Sequence, residues 1–156
     1  MLPGKYEERK VAGRCYALAV ALSLLVLAGC GQKSNQNNLP PLIRAGSPDF
    51  EKYQSLIKID GLEADEAARP IGDIVMTLRA TVRNFTGHTL NGLEVHAAVV
   101  DLDGKPVKER NVIIIPSRQA ELDNNKTMTA QVLLEGISKN ATRANIKMEV
   151  TGFSFK

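Results

Sequence analysis

The chain has no tryptophan, and phenylalanine and tyrosine together supply only seven of its 156 residues. That scarcity argues against an aromatic platform for stacking sugars or bases, and it asks for an aliphatic core. Histidine is almost missing as well. His88 lies in a glycine-bearing loop and His96 on the outward face of a strand pattern, so neither has a second ligand at metal-binding spacing. The two cysteines, Cys15 and Cys30, both fall in the first thirty residues. Everything after Cys30 must therefore fold without a disulfide and without a thiolate zinc site. No Gly-x-Ser-x-Gly elbow is present to activate a serine. Ser117, Ser138 and Ser154 stand in turn or strand-end contexts only.

One long apolar run is present, and it is short for a membrane span. Cys15 to Gly29, CYALAVALSLLVLAG, carries no charge over its 15 residues. A spanning helix needs roughly 20. Lys5, Arg9, Lys10 and Arg14 precede it, diluted by Glu7 and Glu8. A basic start, a short apolar stretch and small residues before a cut describe a secretory signal. Leu27-Ala28-Gly29-Cys30 closes that stretch and resembles the lipobox of bacterial lipoproteins. The resemblance implies a signal peptide over residues 1–29, removed by cleavage. It makes Cys30 the lipidation site and the mature N-terminus, anchored in the lipid bilayer by its acyl chains. Each buried CH₂ stabilises such an anchor by about 0.8 kcal/mol, and two chains hold a protein stably. The residue after the cysteine is Gly31 and not aspartate. Within the lipoprotein family that implies the periplasmic face of the outer membrane in a Gram-negative host. A Gram-positive plasma membrane stays open.

Without residues 1–29 the chain keeps 16 basic and 15 acidic residues, a net charge near +1. That balance offers no basic footprint for nucleic acid. Residues 30–49 read as a lipidated, flexible tether. Gly31 to Asp49 is rich in Asn, Gln, Ser, Gly and Pro and has little apolar surface to bury. Its one apolar stretch, Leu39 to Ile43, is a second candidate as a docking motif.

From Phe50 to Lys156 the apolar period is two. Ile74, Met76, Leu78, Ala80 and Val82 share one face, with Thr77, Arg79, Thr81 and Arg83 opposite. Leu93, Val95, Ala97 and Val99 repeat the pattern with Glu94 and His96 facing out. Met128, Ala130, Val132 and Leu134 form a third strand, and Ile146, Met148 and Val150 a fourth. The phase slips at Gly61 and Gly152, which predicts a β-bulge at each with glycine at positive φ. Asp103-Gly104 predicts a hairpin tip, Asn84 to Leu90 with Asn91-Gly92 a loop, and Asn124-Asn125 a turn. Val112 to Ile115 is a continuous apolar run ended by Pro116. Ser138 to Asn145 holds a short helical turn or a loop. Six to seven strands with turns about every ten residues predict an all-β fold, an antiparallel β-sandwich over residues 50–156.

Arg79 to Val107, RATVRNFTGHTLNGLEVHAAVVDLDGKPV, resembles the bacterial extracytoplasmic Ig-like domains named for an FxLYD motif. The likeness extends over roughly Ile74 to Phe155. The motif's aspartate is Asp101, while its other positions fall on Ala97, Val99 and Val100. The resemblance implies an Ig-like accessory or binding module with no catalytic residue.

Other motifs fail on spacing. Asp101-Leu102-Asp103-Gly104 looks like the middle of a calcium loop, but its first ligand would be Val99 and its last Arg110. Glu63, Asp65 and Glu66 offer carboxylates for glycoside hydrolysis, without the tryptophans such sites use. The expected function is a membrane-anchored envelope lipoprotein serving as a non-catalytic protein-interaction or accessory module, without cofactor or metal. Its partner is another envelope protein, met through an edge strand or the Asn84–Leu90 loop. The alternative is a lipoprotein that binds a small ligand or a glycan.

Overall fold

The computed structural model describes residues 41–156. The expected signal peptide, Cys30 and the first part of the tether lie outside the described residues. Seven strands and one helix follow in order: β1 (Ile43–Arg44), α1 (Pro48–Gln54), β2 (Ile57–Ala68), β3 (Asp73–Asn84), β4 (Leu90–Val100), β5 (Pro106–Ile115), β6 (Thr127–Ser138) and β7 (Asn145–Phe155). They form two antiparallel sheets, ordered β1-β7-β4-β5 and β2-β3-β6. The fold is the all-β antiparallel sandwich that the periodicity predicts.

Alternation decides the packing. Ile74, Met76, Leu78, Ala80 and Val82 of β3 are buried, as are Met128, Ala130, Val132 and Leu134 of β6. They meet Leu93, Val95, Ala97 and Val99 of β4 across the sandwich core. The core is aliphatic through its middle. The aromatics gather at one end, where Phe50 stacks on Phe153 at 5.7 Å between centroids and Tyr53 meets Phe155 edge-on at 5.0 Å. His88 belongs to this cluster, with its ring 4.9 Å from that of Phe155.

Turn chemistry matches at several joints. Gly104 has φ +76° at the β4–β5 tip, where Asp101 Oδ1 accepts from the amides of Asp103 and Lys105. Asn125 turns the chain at φ +60°, and Gly61 takes φ +60° inside the register shift of β2. Residues 139–144, between Ser138 of β6 and Asn145 of β7, form a loop and no helix.

Four expectations are corrected. The tether does not run to Asp49: Ile43 and Arg44 pair with Phe153 and Gly152, so this part of it is a strand of the domain. Phe50 begins no strand but sits in α1. Ser47 caps that helix by accepting from the Phe50 amide at 3.2 Å, and Pro48 fills the first turn, where a missing N–H costs nothing. Asn91 and Gly92 are not loop residues; they lie in β4. Gly152 does mark a bulge, since Glu94 pairs with Gly152 and Val95 with Val150, but it is not among the positive-φ glycines. Close approach explains it. A Cβ at Gly152 would lie 3.2 Å from Leu42 Cδ1 and 3.3 Å from Leu42 Cβ.

Candidate functional site

Of the carboxylates that the sequence nominated, Asp65 and Glu66 are engaged in ion pairs, while Glu63 lies exposed on β2 opposite Arg79 and enters no ion pair among the described residues. On β2, Asp60 pairs with Arg83 at 3.0 Å, Asp65 with Arg79, and Glu66 with Arg143 at 3.1 Å. His96 meets Asn111 at 2.7 Å and Glu109 at 3.4 Å across the β4–β5 ladder. His88 is in the aromatic cluster, so the two histidines serve different neighbourhoods. Among the described residues no group of three or more His, Cys, Asp or Glu is placed to hold a metal ion.

The Asn84–Leu90 loop is rigid. Asn84 is fully buried: its Nδ2 donates to the carbonyls of His88 and Leu122, and its Oδ1 accepts from the Thr86 amide and hydroxyl. Phe85 stands half exposed beside Leu56, whose carbonyl accepts from the Phe85 amide at 2.9 Å.

Sequence reasoning missed the clamp that fastens the N-terminal lead to the sandwich. Glu94, expected on the outside, is 7% exposed. Arg44 grips it with two hydrogen bonds, of 2.6 and 3.0 Å, and Thr151 donates a third at 2.9 Å. The Arg44 hydrogen bonds hold the Glu94 carboxyl below the usual carboxylate range, against the opposing effect of burial. Beside the clamp, Leu42 lies in a dent left by two glycines. A Cβ at Gly92 would collide with Ser154 Oγ and come within 2.8 Å of Leu42 Cδ2. The candidate docking stretch Leu39–Ile43 thus docks, through Leu42 and Ile43, on its own sheet. No local signal joins Arg44 to Glu94, which are fifty positions apart.

The same edge leaves part of β7 unpaired. β1 covers β7 only at Gly152 and Phe153. The chain then turns away at Gly46, φ +91°, and Ser47 starts α1. Among the described residues Asn145 to Thr151 have β4 on one side and no strand on the other. Next to that stretch runs a groove of about 430 Å³ bounded by β7, β2 and the end of α1, with Ile57, Ile59, Met148 and Val150 in its walls alongside Glu51, Gln54, Lys58 and Glu149. A second cleft, of about 370 Å³, lies between Met76 and Val99 beside the Glu66–Arg143 ion pair.

No family model and no curated protein matches the chain. Among solved structures, the X-ray structure of a Northeast Structural Genomics Consortium target aligns with 63% of this chain and 89% of its own, at 14% identity and a TM-score of 0.37. The crystal structure of the putative ApaA protein from Bordetella pertussis aligns with 61% of this chain and 94% of its own, at 8% identity and a TM-score of 0.36.

Proposed function

We propose that this chain is a membrane-anchored envelope lipoprotein, acylated at Cys30, whose β-sandwich acts as a non-catalytic protein-interaction module. The supporting observation is the unpaired β7 edge, Asn145–Thr151, beside a groove with Ile57, Ile59, Met148 and Val150 among its mixed polar and apolar walls. Unpaired backbone N–H and C=O groups on an edge are matched by another extended backbone, and the apolar walls beside them offer contact to alternate side chains of that strand. Two of the three carboxylates nominated for hydrolysis are held by arginines, Asp65 by Arg79 of β3 and Glu66 by Arg143 in the β6–β7 loop, which favours a scaffold over a reaction centre. The β1 clamp gives an anchored lead a firm hold on the sheet.

Two experiments test the reading. Cys30→Ala in the full chain abolishes incorporation of labelled palmitate; unchanged labelling overturns the anchor. A photo-cross-linking side chain at Lys147 yields a reproducible polypeptide adduct in cells. Turnover of an envelope substrate by the purified chain, lost on Glu63→Gln, overturns the non-catalytic assignment.

A further inference from the structure

The free edge of β7 matches itself. Its sequence from Asn145 to Thr151 is NIKMEVT, with Met148 at the centre. Ile146, Met148 and Val150 lie opposite Val99, Ala97 and Val95 of β4 and face the core with them. Lys147 and Glu149 are exposed on the outer face. Among the described residues neither enters an ion pair.

Two copies of this edge, paired antiparallel about a two-fold axis through Met148, bring these residues into matching rows. Lys147 of each copy faces Glu149 of the other. Ile146 faces Val150, and Met148 faces its own equivalent. Both opposite-charge pairs and all apolar pairs then fall on their proper faces, which is the arrangement that stabilises a cross-strand ladder. Neighbouring registers on the same faces fail. An axis through Lys147 sets lysine against lysine, and one through Glu149 sets glutamate against glutamate. The pairing window also ends where it must, because β1 occupies the edge from Gly152 onward. The edge is competent for this geometry, since β1 already lies antiparallel on it.

We infer that a second copy of this chain docks on the β7 edge, adding β7 to β7 in an antiparallel, two-fold dimer centred on Met148. The inference rests on the interaction reading above and names the partner as the chain itself. The two sheets join into one continuous sheet six strands across, β5-β4-β7-β7-β4-β5, with each β1 beside the junction. The two β1 strands then flank opposite ends of the junction.

Charge reversal tests the register. Full-length chains carrying Met148→Cys are treated with a mild oxidant in isolated membranes and read on non-reducing gels, with the unsubstituted chain as the blank. Met148→Cys gives a disulfide-linked dimer; Lys108→Cys, on the β5 edge, does not. Adding Lys147→Glu, or separately Glu149→Lys, sets like charges face to face twice and weakens pairing about tenfold or more. Co-expressing these two variants restores the cross-link, because every facing pair is again of opposite sign. The double variant Lys147→Glu with Glu149→Lys is restored on its own. All four positions are exposed or half-exposed at an edge, and circular dichroism confirms that each variant is folded. A Met148→Cys cross-link that ignores both single reversals overturns the register. Capture of a different envelope protein in place of a copy overturns the dimer and leaves the interaction reading standing. No adduct at either Met148 or Lys147 removes both.

Discussion

The two edges of the four-stranded sheet flank the same central residues and treat them differently. Val99 of β4 lies between Lys108 of β5 and Ile146 of β7. Ala97 lies between Arg110 and Met148. On the β5 side the inward positions carry charge, and Lys108 and Arg110 line a small cleft with Leu133 and Leu134 of β6. On the β7 side the same rows are apolar. Inward-pointing charge is a common way to stop a sheet edge from recruiting another strand. A two-fold pairing of β5 about Glu109 would also set Lys108 against Arg110, a repulsive match. The β2 edge is guarded by the acidic residues Asp60, Glu63, Asp65 and Glu66 and by the bulge at Gly61. On β6, Arg118 covers the Gln131 carbonyl at 3.4 Å. The lesson is that three edges carry deterrents, while β7 is closed by β1 at one end and keeps an apolar inner face along the rest, with its charges, Lys147 and Glu149, on the outer face.

The stability of the two sides should differ most. Leu93 lies between Ile115 and Phe153 in one row. Phe153→Ala removes the ring that touches Phe50, Tyr53 and Phe155, and should cost about 3–5 kcal/mol in urea unfolding. Ile115→Val should cost only about 0.5–1.5 kcal/mol. A loss under about 1 kcal/mol for Phe153→Ala would show that the ring cluster does not hold its end of the sandwich.

Overpacking the β1 dent comes next. Gly92→Ala forces Leu42 and Ser154 apart and should destabilise by about 1–3 kcal/mol. Gly152→Val should act in the same direction by displacing Leu42. Both should speed proteolysis near Ile43 before the rest of the domain. An unchanged melting temperature for both would mean that β1 contributes no stability.

A smaller effect concerns pH. The Glu94 carboxyl is depressed in the folded state by Arg44. Its stabilisation is therefore complete above the ordinary carboxylate pKa and is lost as pH falls through the folded value. Thermal melts from neutral to acid pH should show a steeper fall for the parent chain than for Glu94→Gln. Parallel curves would show that the clamp carries no linked proton.

The smallest change would convert one edge into the other. Lys108→Ile with Arg110→Met copies the β7 pattern onto β5. It should add a weak, concentration-dependent association detectable by light scattering, with little change in melting temperature. No new association would show that inward charge is not what keeps β5 apart.

Much of the sandwich was legible because its signal is local. The rows Ile74–Val82, Leu93–Val99 and Met128–Leu134 alternate in the sequence and are buried as the alternation requires. Asp103-Gly104 and Asn124-Asn125 turn where their side chains and backbone freedom suit them. The helix α1 went unread although Ser47 and Pro48 are a helix start: Pro48 and Asp49 fell in the stretch read as tether, and Phe50–Gln54 in the stretch read as alternating. Glu94 shows the limit of the period-two rule: a residue alternating outward becomes buried when a distant segment lies over it.

By itself the sequence determined which residues alternate, where the chain turns, that no cysteine follows Cys30, and that a lipobox-like LAGC ends its only long apolar run. These follow from chemistry within a few residues. Only the tertiary structure decided that Arg44 reaches Glu94, that Gly92 and Gly152 make room for Leu42, and that β1 stops after two residues and leaves β7 open. Those outcomes depend on which strands become neighbours. Pairing across fifty or more positions is selected by the burial and hydrogen bonding of the whole sandwich, and no local pattern encodes it.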